Sequence, residues 1–132
     1  MRALFKPLAA VFVAAMMIAP GAQAGETTVA ANGTFTGASD HITTGGVSIV
    51  KTADGGAVVI LDSDFSLDGA PDPRVGFGKD GTYVDASDLG ELTSKTGLQV
   101  YVIPPEVNVA DYNEVYIWCR KFAVPLGVAS LN

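Results

Sequence analysis

The 132-residue sequence has one cysteine, one histidine and one tryptophan, and 8 Lys and Arg stand against 14 Asp and Glu. Each shortage excludes something. The single cysteine, Cys119, cannot form an intramolecular disulfide, nor can one chain use it alone to hold an iron–sulfur cluster. With His41 the only histidine, the two-His-plus-Cys copper site cannot be built, and a Cys2His2 zinc site needs a second chain. The Cys-x-x-Cys-His haem attachment is absent. No Ser–His–Asp triad is expected either, since the Gly-x-Ser-x-Gly elbow is missing. Because the ligand sets are missing and no phosphate-cradling Gly-x-Gly-x-x-Gly loop is expected, no bound cofactor and no resident metal are expected.

Long apolar runs are also scarce. The one that exists, Leu8 to Ala19, follows Arg2 and Lys6 and precedes Ala22-Gln23-Ala24. A charged start, an apolar middle and a small-residue end are the build of a secretory signal. A run of this length is too short to span a bilayer, which takes about 20 residues of helix. Cleavage after Ala24 removes two cations and all three methionines (Met1, Met16 and Met17), and takes the formal charge from −6 to −8. The expected location is therefore periplasmic or secreted, with no membrane insertion once the signal is gone. No cysteine stands at the cleavage position, so no N-terminal lipid anchor is expected. The acidic balance disfavours nucleic acid and anionic membrane surfaces, which need clustered Lys and Arg.

What remains suits one domain with one core. Residues 25–32 read as a flexible polar tether and 33–132 as the folded unit. Val and Ile outnumber Leu, Thr is plentiful and glycine recurs, a balance that favours strands and tight turns. Strands are expected at Gly33–Thr36, His41–Lys51, Ala57–Asp64, Arg74–Gly78, Leu98–Ile103, Glu114–Phe122 and Val124–Leu131. Asp54-Gly55-Gly56 predicts a hairpin, and Pro104-Pro105 ends the fifth of these strands. The third, apolar on both faces over Val58–Leu61, is placed centrally. Residues 106–124 hold no glycine or proline, which leaves a helix open there. The β-branched and aromatic run Val115–Trp118 favours a strand. The expectation is an all-β, small antiparallel β-sandwich of about six to eight strands.

Several short blocks then fall in a recognisable order: Gly33-Thr34-Phe35; His41 followed by Gly46-x-x-Ile49; Asp64-Phe65 ahead of Gly69-Ala70-Pro71-Asp72; Asp88-Leu89-Gly90-x-Leu92; Gly97-Leu98-Gln99-x-Tyr101-x-Ile103-Pro104; and Val115-Tyr116-Ile117-Trp118-Cys119-Arg120-Lys121-Phe122. Together they resemble the DM-thirteen domain family, also described as an electron-transfer domain, over about Gly33 to Leu131. One departure is Ala70, an extra residue where the family tends to have Gly-Pro-Asp. The resemblance implies a small extracellular or periplasmic β-sandwich with one characteristic cysteine, falling on Cys119. It also implies a redox or electron-transfer role, often beside haem-binding domains. In a lone domain, a redox or haem-domain partner is then a separate protein.

The candidate residues each have a plainer alternative. Cys119 is either a redox thiol or a small core residue sharing a face with Val115 and Ile117. In a regular strand Lys121 lies on its face, about 7 Å away by strand rise, where a cation favours the thiolate. Trp118 and Tyr116, on the opposite face, are either a relay surface or a second hydrophobic layer. His41 is either a base or ligand beside Cys119 or a hydrogen-bonded turn residue. Asp62, Asp64, Asp68 and Asp72 either bind calcium or cap a loop. Leu67 and Pro73 occupy the glycine and glutamate positions of a twelve-residue calcium loop, which favours capping. Three functions compete: a redox accessory acting through Cys119, not an enzyme by itself; a non-catalytic binding or adhesion sandwich with a structural cysteine; and a metal-binding module using His41, Cys119 and Asp residues.

Overall fold

β-branched residues alternating between Gly- and Asp-rich turns bury one face of an extended chain and expose the other. The computed structural model describes residues 26–132; the secretion-signal reading of residues 1–24 lies outside them. Within that range the strands are β1 (Thr28–Gly37), β2 (Thr43–Thr44), β3 (Gly46–Lys51), β4 (Ala57–Leu61), β5 (Ser66–Leu67), β6 (Pro73–Lys79), β7 (Thr82–Tyr83), β8 (Gly90–Glu91), β9 (Gln99–Ile103), β10 (Glu114–Cys119) and β11 (Val124–Ser130). Single 3-10 turns lie at Asp85–Ser87 and Val109–Asp111. The fold is all-β, as expected.

One antiparallel sheet runs β7-β6-β10-β11-β1-β3-β4-β9, with β8 also on β6, and β2 pairs separately with β5. The sheet curls because β1 is used twice. Thr28–Thr34 pairs with β3, and Phe35–Gly37 pairs with β11. The two halves face each other as a half-closed sandwich. At the changeover a Cβ on Gly33 would collide with the Ser130 carbonyl, so glycine is what lets β1 and β11 approach.

The core lies between the halves. Val47, Ile49, Val59 and Leu61 from one side meet Val75, Phe77, Val115, Ile117 and Leu126 from the other, all fully buried. Each such side chain contributes about 1.5–3 kcal/mol by leaving water. β4 lies inside its half of the sheet, between β3 and β9, which matches its placement from sequence.

Four expectations are corrected. Residues 28–32 of the expected tether are the first half of β1, paired with β3, because Thr28 to Asn32 can complete a ladder that β3 would otherwise leave open. The strand expected over His41–Lys51 is broken into β2 and β3 at Gly45 (φ +104°), which packs its backbone against Phe65. The strand expected to reach Phe122 stops at Cys119. Arg120 to Ala123 form the turn to β11, with Ala123 in the left-handed region at φ 54°. Finally, Gly76-Phe77-Gly78-Lys79-Asp80-Gly81 does spell Gly-x-Gly-x-x-Gly. It forms the β6–β7 hairpin, with no helix N-terminus following to cradle a phosphate.

Candidate functional site

Alternation along β10 sends its side chains to two faces. Val115, Ile117 and Cys119 point into the core, and Tyr116 and Trp118 point to the outer side. Cys119 is 1% exposed. In register it stands between Pro73 of β6 and Val124 of β11. The next residue, Arg120, is clasped by Asp72, whose carbonyl accepts the Arg120 backbone N–H at 3.0 Å. The Asp72 carboxylate also accepts from Arg120 Nε at 2.9 Å. The turn that follows Cys119 is thereby tied to the loop that precedes β6.

The outer face behind Cys119 is an aromatic cluster. Trp118 stacks on Tyr83 with centroids 4.3 Å apart and planes 10° apart, and Tyr116 meets both rings edge-on. Two glycines of β6 form its floor. A Cβ on Gly76 would strike Tyr83, and one on Gly78 would strike Tyr116. Asp88 locks the cluster to the sheet. Its carboxylate accepts both Nε and Nη2 of Arg74 at 3.1 Å, the Gly90 N–H at 2.7 Å and the Tyr83 hydroxyl at 3.3 Å. Bidentate pairing with Asp88 raises the Arg74 pKa. Burial, and then the negative charge of Asp88, raises that of Tyr83. Burial, and then Glu114, pushes Tyr116 up to about 12. Arg74, Asp85, Asp88, Trp118, Arg120 and Ala123 line an open depression of about 670 Å³ beside the cluster.

Of the residues singled out in the sequence, the structure brings Trp118 and Cys119 to the two sides of one strand end. It does not bring Lys121 onto the face of Cys119. Lys121 sits in the 120–123 turn, its Nζ 5.6 Å from the centre of the Phe122 ring. Nor does any hydrogen bond join His41 to Cys119 among the described residues; His41 Nδ1 pairs with Asp68 at 2.9 Å. The Asp cluster is spread over separate tasks. Asp64 accepts the Gly46 N–H, Asp68 the Ile42 N–H, and Asp72 holds Arg120. The capping alternative therefore describes these carboxylates. Sequence reasoning missed Arg74, Tyr83 and Asp88. The signal for Asp88 was its place before Leu89-Gly90, the bend that sets β8 on β6.

The Gln99-x-Tyr101 pair also acquires a role. Tyr101 Oη donates to Gln99 Oε1 at 2.6 Å and accepts the Thr93 N–H at 3.0 Å, while Gln99 Nε2 donates to the Ser94 and Gly97 carbonyls. These two side chains pin the 93–97 loop beneath β9.

A family model described as Electron transfer DM13 matches residues 34–131. The chain belongs to this family, and the domain is of an electron-transfer-related kind. No curated protein and no solved structure matches the chain.

Proposed function

We propose that this domain works outside the cytosol as an accessory to electron transfer, with Cys119 as its redox centre and a separate redox or haem-domain protein as partner. One observation carries the reading: Cys119 is the last residue of β10, with the Trp118–Tyr83 stack on the other side of its strand and the Asp72–Arg120 clasp on its next residue. Burial of the sulfur limits how it reacts. A partner disulfide cannot approach a 1% exposed thiol, so the 120–123 turn must open first. The Cys119 thiolate then attacks one partner sulfur and forms a mixed disulfide, while the second partner sulfur leaves as a thiolate. With one cysteine in the domain, net transfer needs an external thiol as reductant: its thiolate attacks the Cys119 sulfur and the partner leaves as a dithiol, then a second external thiol attacks the sulfur bound to Cys119, forming an external disulfide and freeing the Cys119 thiolate. Between encounters, burial protects a lone thiol from irreversible oxidation in an oxidising compartment. Trp118 lines the approach, while Lys121, whose Nζ lies over the Phe122 ring, does not face the sulfur and supplies no cation to it. His41, held by Asp68, has no part in this scheme.

The test is alkylation of the folded protein by a small thiol reagent under native conditions, together with redox assay of Cys119→Ser. Slow but measurable native labelling and loss of activity support the reading. A sulfur that reacts only when the whole domain unfolds defeats it.

The same burial favours a second reading, a non-catalytic binding or adhesion sandwich in which Cys119 only fills the core. Under it, Cys119→Ala binds partner normally and loses only stability.

A further inference from the structure

We infer that a second copy of this chain docks on the free edge of β9, the two β9 strands pairing antiparallel about Tyr101. This goes beyond the redox reading and does not depend on it. The two ends of the sheet differ. At one end β6 is flanked only by the two-residue strands β7 and β8, which blunt that edge. At the other end β9 is a full five-residue strand with β4 on one side and, among the described residues, no strand on the other. None of the usual protections is present on it: no proline, no charge and no bulge interrupts Gln99–Ile103.

The outward side chains of this edge are apolar and open. Leu98 is 64% exposed, Val100 54% and Val102 73%. They extend an aliphatic face inward along the register, because Val102 pairs with Val58, Val58 with Val50, and Val50 with Val29. A two-fold axis through Tyr101 sets Val100 of each copy opposite Val102 of the other, so the edge is complementary to itself. Charge agrees with this choice of occupant. Residues 96–105 carry no charge in an otherwise acidic chain, so two copies meet without repulsion there. The antiparallel arrangement also sets the Lys95 end of one copy toward the Glu106 end of the other.

Area sets the strength. At about 100 Å² per fully exposed aliphatic side chain, Leu98, Val100 and Val102 offer roughly 200 Å² per copy, against roughly 800 Å² per partner in a standard interface. Main-chain pairing adds to this, and the dimer is weak, with a Kd from about micromolar to millimolar.

The experiment is sedimentation of the wild-type protein from about 10 µM to about 1 mM, with amide hydrogen exchange followed across the same range. We expect a reversible monomer–dimer equilibrium, and slowing with concentration of those β9 amides that point away from β4. Val102→Lys changes a side chain that is already exposed, and should abolish both effects. Val29→Lys, three strands away on the same face, should leave both intact. A monomer throughout, with β9 amides unprotected at the highest concentration, overturns the proposal. So does a dimer that Val29→Lys breaks while β9 stays unprotected, since that result assigns the contact to stacked sheet faces.

Discussion

Asp72 grips Arg120 with two different groups: its main-chain carbonyl takes the Arg120 N–H at 3.0 Å, and its carboxylate takes Nε at 2.9 Å. The grip lies one residue beyond Cys119, where β10 gives way to the turn. It joins residues 48 positions apart in the chain and ties that turn to the loop before β6.

Weakening this clasp should speed access to the sulfur. The Arg120 side chain is 61% exposed, so solvent screens the ion pair and it is worth roughly 0.2–1 kcal/mol. Asp72→Asn keeps the main-chain bond and loses the charge. Native alkylation of Cys119 should then accelerate by up to about five-fold at nearly unchanged urea midpoint. Rates that follow global stability alone across wild type, Asp72→Asn and Arg120→Ala would show that the turn does not open independently.

Replacing the sulfur separates packing from polarity. Cys119→Ala removes one buried atom and should cost about 1–2 kcal/mol in urea unfolding. Cys119→Ser puts a hydroxyl into the same apolar setting and should cost about 1–3 kcal/mol relative to a satisfied site. Serine at least as stable as alanine would mean that the position is wetter than its 1% exposure indicates.

The tyrosines set an alkaline limit. Tyr116 holds its proton up to about 12 in the folded state, against 10.0 for an ordinary tyrosine, and Tyr83 is raised as well. Between pH 10 and 12 the unfolded chain releases protons that the folded one retains, so stability is full below pH 10 and falls as pH rises. The slope approaches about 1.4 kcal/mol per pH unit for each tyrosine. Tyr116→Phe should flatten it, which unfolding in a pH series will show. Asp68 acts at the other extreme. The Ile42 N–H, and then His41, hold its carboxyl below 3.8. Its contribution is present above that value and disappears as pH falls through the lower folded one.

Gly33→Ala should be among the most damaging single substitutions. The added methyl meets the Ser130 main chain, which cannot swing aside as a side chain would, and the cost should reach about 3 kcal/mol or more. Gly55→Ala is the control. It faces open space and suffers only from its φ of +93°, for a cost of about 1–2 kcal/mol. Equal losses at the two positions would mean that β1 and β11 are not held as close as described.

Local signals identified the strands whose partners hardly matter. Alternation made β9 and the inward side of β10 legible, Asp54-Gly55-Gly56 marked the β3–β4 turn, and Pro104-Pro105 marked the end of β9. Non-local pairing stayed hidden. Residues 28–32 look polar and loose because their ladder partner, β3, lies far enough along the chain that no local pattern announces it. The end of β10 was missed for a similar reason: the Asp72 clasp that turns the chain at Arg120 is distant in sequence. The aromatic cluster was half visible. Trp118 and Tyr116 showed their shared face, while Tyr83, Arg74 and Asp88 are brought to them by β6 and its neighbours, and the glycines beneath them read only as turn formers.

The double use of β1 also bears on how the domain comes into being. Phe35 waits for Ala129, so the loop that must close spans most of the domain. Synthesis can lay down Thr28–Thr34 against β3 early, and the Phe35 N–H can reach the Gly45 carbonyl, but Phe35–Gly37 has no strand to pair with until β11 has left the ribosome. Ordering of so many distant pairs is slow, on the order of milliseconds to seconds, and until it is complete β1 is held by a strand along only half of its length.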